Sequence, residues 1–250
     1  MLDLNRRNIE KAVEILRTAK HVTAFTGAGI SVESGIPPYR GEGGLWSKQD
    51  PRVLELNYFK SNPEASWKVI RDVFFNYFSD AKPNAAHIAL AEMEKKGKLK
   101  AVITQNIDNL HQEAGSKNVY EFHGNAQKLS CLKCRKSYDA RPELLEKIPP
   151  TCSACGGILR PDFIFFGEQI PQEAYTKSEE EAQKADVFIL AGTSGVVVPA
   201  ALIPQFAKQN GAKIIEINPE RTGYSDTITD VFIKGKAGDI LDRISKALLS

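Results

Sequence analysis

The sequence has no apolar run approaching the roughly 18 residues of a membrane-spanning helix, so no membrane anchor is read from it. It has no excess of charge of either sign. Lys and Arg number 33 against 31 Asp and Glu, a net +2 that gives no whole-chain reason to expect direct nucleic-acid binding. Charges interrupt every apolar stretch of the opening "MLDLNRRNIEKAVEILRTAKHV", and no small-residue cleavage site follows. No secretory leader is read there, and the expected location is the cytoplasm. G-x-S-x-G, H-E-x-x-H and P-loop patterns are all missing, which removes support for nucleophile-elbow hydrolases, zinc proteases and P-loop nucleotide hydrolases. Cysteine is scarce: four residues, all between positions 131 and 155. Internal repeats and low-complexity tracts are absent.

What is present alternates. Ile9, Ala12, Val13 and Leu16 recur at helical spacing. Short apolar runs follow at His21–Thr26, Ala101–Thr104, Val187–Ala191, Ile214–Ile217 and Val231–Ile233, and helical segments lie between them. Asn62 with Pro63, and later Asn84, stand where helices would be capped, and Gly97 stands where the second would end. Continuous apolar strands alternating with helices predict an α/β fold, a parallel sheet with helices on both faces.

Cys131-Leu132-Lys133-Cys134 and Cys152-Ser153-Ala154-Cys155 are two C-x₂-C pairs separated by 17 residues. That spacing fits one tetrahedral zinc ion held by four thiolates. A disulfide pairing conflicts with the expected compartment, and a redox dithiol needs only one pair. Four thiolates close the coordination shell, so the expected zinc is structural.

Gly27-Ala28-Gly29 follows a buried run, as the first glycines of a dinucleotide fingerprint do, but Val32 stands where the third glycine belongs. A phosphate-cradling loop and a plain tight turn both fit those residues. Gly192-Thr193-Ser194, Asn218-Pro219 and Gly235-Lys236-Ala237-Gly238 also follow apolar runs, at the strand ends where open α/β sheets bind ligands. "TQNIDNLH" (Thr104–His111) adds Gln105, Asn106 and Asp108 to the same edge. His123, followed by glycine, reads first as a buried histidine satisfied by backbone and next as a proton acceptor near neutral pH.

In order, the motifs "GAGIS" (27–31), "GIPPYRG" (35–41), "TQNID" (104–108), "HG" (123–124), the two cysteine pairs, "FFGE" (165–168), "GTS" (192–194), "INPE" (217–220) and "GKAG" (235–238) make the chain resemble a sirtuin of prokaryotic type from about residue 20 to 245. The resemblance implies a single catalytic domain over 1–250: a Rossmann-like subdomain at about 1–39, 84–128 and 162–250, and an inserted small lobe made of a helical module (about 40–83) and a zinc ribbon (about 129–161). It implies a protein-lysine deacetylase that consumes NAD as co-substrate and releases nicotinamide, 2′-O-acetyl-ADP-ribose and free lysine. Deacylation of other acyl groups and mono-ADP-ribosyl transfer to protein are the alternatives.

Carried over by position, the resemblance makes His123 the general base and Asn106 its catalytic partner, the latter holding the ribose and an ordered water. It assigns the dinucleotide to Gly27, Ala28, Gly29, Ser31, Tyr39, Arg40, Gln105, Asn106, Ile107, Asp108, Gly192, Thr193, Ser194, Asn218, Pro219 and Ala237. An acetylated peptide is expected as an added strand between Phe165, Phe166, Gly167, Glu168 and Gly195, Val196, Val197. A monomer is expected. Two departures stand out. Pro38 replaces the family's Asp or Thr, removing a backbone donor. The stretch Ser66–Phe78 lacks the Tyr-x-x-Arg pair of sirtuins that bind acidic acyl chains, which predicts a neutral acyl group, acetyl first.

Overall fold

The computed structural model describes residues 2–39, 43–45 and 50–250. Six strands form one sheet in the order β3-β2-β1-β7-β8-β9: β1 Val22–Thr26, β2 Ala101–Thr104, β3 Val119–Glu121, β7 Val187–Ala191, β8 Lys213–Asn218 and β9 Val231–Lys234. Every neighbouring pair is parallel. The run of apolar residues in each strand serves both faces, since successive side chains point to opposite sides. In β7, Val187, Ile189 and Ala191 join one core with the helices Leu2–Thr18, Ala85–Lys95 and Ala237–Leu249. Phe188 and Leu190 enter a second core with Ala182 and Ala207, from the helices Gln172–Lys184 and Ile203–Gln209.

Local chemistry sets the helix ends. Asn84 Oδ1 accepts the Ala86 N–H at 2.9 Å while His87 Nδ1 accepts the Asn84 N–H at 3.3 Å, a reciprocal cap. Gly97, at φ 73°, turns the chain out of that helix. Asn62 does occupy the cap before Pro63–Ile70, but its side chain makes no capping bond. That helix passes into a π-turn over Arg71–Phe75. Among the described residues, no helix is long and apolar enough to cross a membrane.

A second sheet of three antiparallel strands has the order β5-β4-β6, with β4 Gly124–Cys131, β5 Ser137–Asp139 and β6 Leu159–Phe163. It shares a core with the helices Leu56–Ser61 and Pro63–Ile70, built around Phe59, Trp67, Phe74, Phe163 and Phe165. Trp67 Nε1 donates to the Leu159 carbonyl at 2.8 Å, which pins helix to sheet. Strand β4 starts one residue after His123 and ends on Cys131, so a single strand links the expected base to the expected metal ligands.

Candidate active site

The strand order reverses between β1 and β7, the point at which open α/β sheets form a ligand crevice, and the loops leaving these two strands meet there. Their glycines press backbone on backbone. Gly27 N–H donates to the Ala191 carbonyl at 3.2 Å and Gly29 N–H to the Gly192 carbonyl at 2.8 Å. A Cβ on Gly29 would lie 2.7 Å from Gly192 Cα, and one on Gly192, at φ 64°, would lie 2.2 Å from Ile30 N. These two glycines are thus needed for the contact between loops, and their own N–H groups are already used. The sequence left a phosphate-cradling loop and a plain tight turn both open at Gly27-Ala28-Gly29, and these bonds are those of a close turn. The chain then turns through a 3-10 helix, Ala28–Ser34, with Val32 facing solvent.

Beside this turn lies a buried polar cluster. Ser31 Oγ donates to Asp108 Oδ2 at 2.6 Å, and Asn106 Nδ2 donates to Ser31 Oγ at 3.0 Å and to the Gly27 carbonyl at 3.2 Å. Asp108 Oδ1 accepts the Leu110 N–H at 3.0 Å. Burial raises the Asp108 carboxyl above its ordinary range, against the pull of Ser31, the Leu110 N–H and Asn106. Ala28, Asn106 and Asp108 line a small pocket with Tyr39, Val73 and Phe74. Burial raises the Tyr39 phenol, as does the neighbouring Asp108.

His123 sits at the other side of the loop, its Nδ1 3.1 Å from the Gln105 carbonyl. A carbonyl only accepts, so Nδ1 carries the proton and Nε2 presents a lone pair. Burial lowers its pKa, opposed in part by the Gln105 carbonyl, so the ring is neutral at pH 7. Gln105 Nε2 donates to Thr193 Oγ1 at 2.9 Å, and Asn218 Nδ2 donates to the Thr193 carbonyl at 3.0 Å. The loops after β2, β7 and β8 are thereby tied into one rim. At the loop after β9, Glu33 accepts the Gly238 N–H at 2.7 Å, which occupies the N-terminus of the helix carrying Ala237.

Of the residues singled out from the sequence, Ala28, Ser31, Tyr39, Asn106, Ile107 and Asp108 line the small pocket. Ile107 is buried, its carbonyl accepting the Ala126 N–H at 3.2 Å. Ser194 and Pro219 lie on the exposed outer rim. Arg40 lies outside the described residues, as does Gly41. Phe165 is buried and Phe166 exposed, while Val196 is exposed and Val197 half-buried. The Glu168 side chain turns inward to Arg160 and the Phe165 N–H, and Gly167 beside it is exposed. Val73 and Phe74 were not singled out: they reach the pocket from the π-turn, which an ordinary helical pattern does not reveal.

The four cysteine sulfurs all lie within 4.8 Å of one another, with Cys131–Cys155 at 3.5 Å and Cys134–Cys152 at 3.6 Å. Those separations exceed a disulfide bond and approach the roughly 3.8 Å edge of a tetrahedron with Zn–S of about 2.3 Å. Lys133 and Cys134 N–H groups point at Cys131 Sγ, 3.4 and 3.5 Å away, and the Tyr138 hydroxyl lies 2.9 Å from Cys152 Sγ. This donor set fits zinc and is closed to substrate.

Comparison with known proteins agrees with this geometry. Residues 27–199 match the model of the Sir2 family. The chain is 49% identical over 242 residues to NAD-dependent protein deacylase 2 of Archaeoglobus fulgidus, covering 94% of each. It is 46% identical over 241 residues to an NAD-dependent protein deacylase of Pyrococcus furiosus, covering 92% of this chain and 94% of that one. Among solved structures it is similar to a Sir2 homologue bound to NAD, with TM-score 0.87, 41% identity and coverage of 96% and 93%. A Sir2 variant holding a deacetylated p53 peptide and 3′-O-acetyl ADP-ribose gives TM-score 0.90 at 36% identity, covering 95% and 97%. With the family model spanning both glycine loops and relatives aligned nearly end to end, the chain belongs to the Sir2 family.

Proposed function

We propose that this protein is an NAD-dependent protein-lysine deacylase with acetyl-lysine as its preferred substrate. The observation that carries the reading is the fixed tautomer of His123. The Gln105 carbonyl holds Nδ1–H and burial keeps the ring neutral, so Nε2 is the ring's proton acceptor. NAD is consumed as a substrate, and its electrophilic ribose carbon accepts the acyl oxygen once nicotinamide leaves.

The residues divide that work. Ser31, Asn106 and Asp108 give the small pocket hydrogen-bonding groups for a ring carboxamide, and Val73 and Phe74 give it apolar walls. His123 Nε2 takes the proton of a ribose hydroxyl as that oxygen attacks the acyl carbon. Thr193, Asn218 and Ala237 receive the adenosine end. Phe166, Gly167 and the Glu168 backbone form one edge of the peptide slot, and Gly195, Val196 and Val197 form the other. Cys131, Cys134, Cys152 and Cys155 hold one structural zinc ion. The same proposal divides the chain into a sheet subdomain and an inserted small lobe, with β4 crossing between them.

Acyl choice follows from the helical module. Ser66–Phe78 carries no Tyr-x-x-Arg pair: Arg71 has Lys68 three places before it, and its guanidinium pairs with Asp72. A carboxylate-tipped acyl chain would be desolvated without that compensation. The deciding experiment incubates the purified protein with NAD and a panel of acetyl-, longer acyl- and succinyl-lysine peptides, read by mass spectrometry. Nicotinamide release with acetyl-ADP-ribose is expected, with acetyl-lysine turned over well ahead of succinyl-lysine. The reverse preference overturns the acyl assignment, and ADP-ribose retained on protein replaces deacylation with ribosyl transfer. His123→Ala is expected to lower kcat/KM by about 10²–10⁴ with the fold intact. Activity close to that of the unaltered protein removes the base.

A further inference from the structure

Arg160 and Glu168 form an ion pair with each side chain only 17% exposed, at the edge of the aromatic core. Both guanidinium NH groups meet the carboxylate, with Arg160 NH2 to Glu168 Oε2 at 2.8 Å. The guanidinium also donates to the Pro161 carbonyl at 3.0 Å and the Phe163 carbonyl at 2.8 Å, and it lies 4.9 Å from the centre of the Phe165 ring. Glu168 Oε2 further accepts the Phe165 N–H at 2.8 Å. Burial opposes the charge on Glu168, and Arg160 with the Phe165 N–H outweighs it, leaving the carboxyl below its ordinary range.

A half-buried pair of this kind seldom stabilises more than apolar side chains of equal volume would. Its value lies in geometry, and here the geometry is a turn. Glu168 N–H donates back to the Phe165 carbonyl at 3.0 Å, closing a loop with Gly167 at φ 87°. At its apex Phe166 N–H donates to the Leu54 carbonyl at 2.8 Å and Leu56 N–H to the Phe166 carbonyl at 3.0 Å, while the Phe166 ring is 44% exposed. Phe165 points the other way and packs on Phe59 and Phe163, with ring centres 4.7 and 4.9 Å apart.

We infer that Arg160, acting through Glu168 and Phe165, is a positioning residue for acyl-peptide binding. It holds the Phe165–Glu168 turn so that Phe166 and the adjoining backbone form a rigid edge of the peptide slot. The consequence for peptide rests on the deacylase reading; the clamp itself does not.

The test separates the two. In Arg160→Met, hydrogen exchange at the Phe165, Phe166 and Leu56 amides is expected to quicken at least about tenfold while β1 and β7 amides keep their protection. Peptide KM is expected to rise about tenfold with kcat and the KM for NAD little changed, and Arg160→Lys to recover part of it, lacking the fork and the ring contact. The double variant Arg160→Met/Glu168→Leu distinguishes positioning from plain stability. Its melting temperature is expected to return toward the unaltered value while peptide KM stays high. Peptide KM recovering together with melting temperature overturns the inference, as does unchanged exchange in Arg160→Met. If the unaltered protein turns over no acyl-peptide, the deacylase reading falls, and the exchange comparison still decides the clamp.

Discussion

The core beneath the six-stranded sheet, where it meets the helices Leu2–Thr18, Ala85–Lys95 and Ala237–Leu249, contains only Ile, Val, Leu, Ala and Met among its described buried residues. The core joining the three-stranded sheet to the helical module is crowded with rings: Phe59, Trp67, Phe74, Phe163 and Phe165. The contrast follows from element length. The three helices of the first core run to 17, 11 and 13 residues, so each offers several turns of small aliphatic side chains that mesh with a regular sheet. The second core is enclosed by strands of three to eight residues and helices of six and eight, each of which can send in only a few side chains. Large rings fill more space per contributing residue, and fixed bonds supply the register: Trp67 to Leu159, Arg160 to Glu168, and the thiolate cluster.

If that contrast is right, the two regions fail differently. Removing the proposed zinc with a chelator, or substituting Cys152→Ser, is expected to loosen the aromatic core and lower activity more than about 100-fold. Emission from buried Trp67 shifts to the red while far-ultraviolet dichroism keeps most of its helical signal. A metal-free protein with unaltered fluorescence and full activity breaks the comparison. The sheet region is expected to fail at backbone contacts. Gly192→Ala, forced to hold φ 64° with Cβ 2.2 Å from Ile30 N, is expected to cost about 3 kcal/mol and to raise the KM for NAD. Gly35→Ala, at φ 88° with nothing within 4 Å, is expected to cost only about 1 kcal/mol, so denaturant melts of the pair isolate crowding from dihedral strain.

The smallest effect concerns pH. His87 and His111 pack edge to face in the sheet region with ring centres 4.8 Å apart, and neither His87 Nε2 nor His111 Nδ1 has a hydrogen-bond partner. Burial lowers the His87 pKa to about 4, and burial with the neighbouring ring puts His111 well below its ordinary value. A histidine whose folded pKa is depressed contributes stability that is complete above its unfolded pKa of about 6.5 and is lost as pH falls toward the folded value. His87 alone is expected to remove about 1 kcal/mol between pH 7 and 5.5, and His111 acts in the same direction. Chemical melts at the two pH values check this, and equal stability at both contradicts the neutral, buried assignment.

Local pattern made much of this legible. The strands Ala101–Thr104 and Val187–Ala191 match the sequence reading residue for residue, because uninterrupted apolar runs bounded by polar loops have few other solutions. The Asn84 cap and the cysteine spacing were readable for the same reason: both are geometries closed within a few residues. What escaped depends on segments far apart in the chain. That Gly29 faces Gly192, that Glu168 turns to Arg160, and that a π-turn sends Val73 and Phe74 into the pocket are facts of packing, with no signature in any short window.

The missing third glycine has a sequel. In a hydride-transferring dinucleotide fold that position lets a long helix pack closely against its strand and leaves the helix's positive end open to the diphosphate. Here Val32 lies on the outside of a single short 3-10 segment, and the positive end of the Ala237–Leu249 helix is already stopped by Glu33. Writing glycine at position 32 would restore the spelling of the motif without its architecture. Converting such a crevice to redox use would mean rebuilding the whole turn.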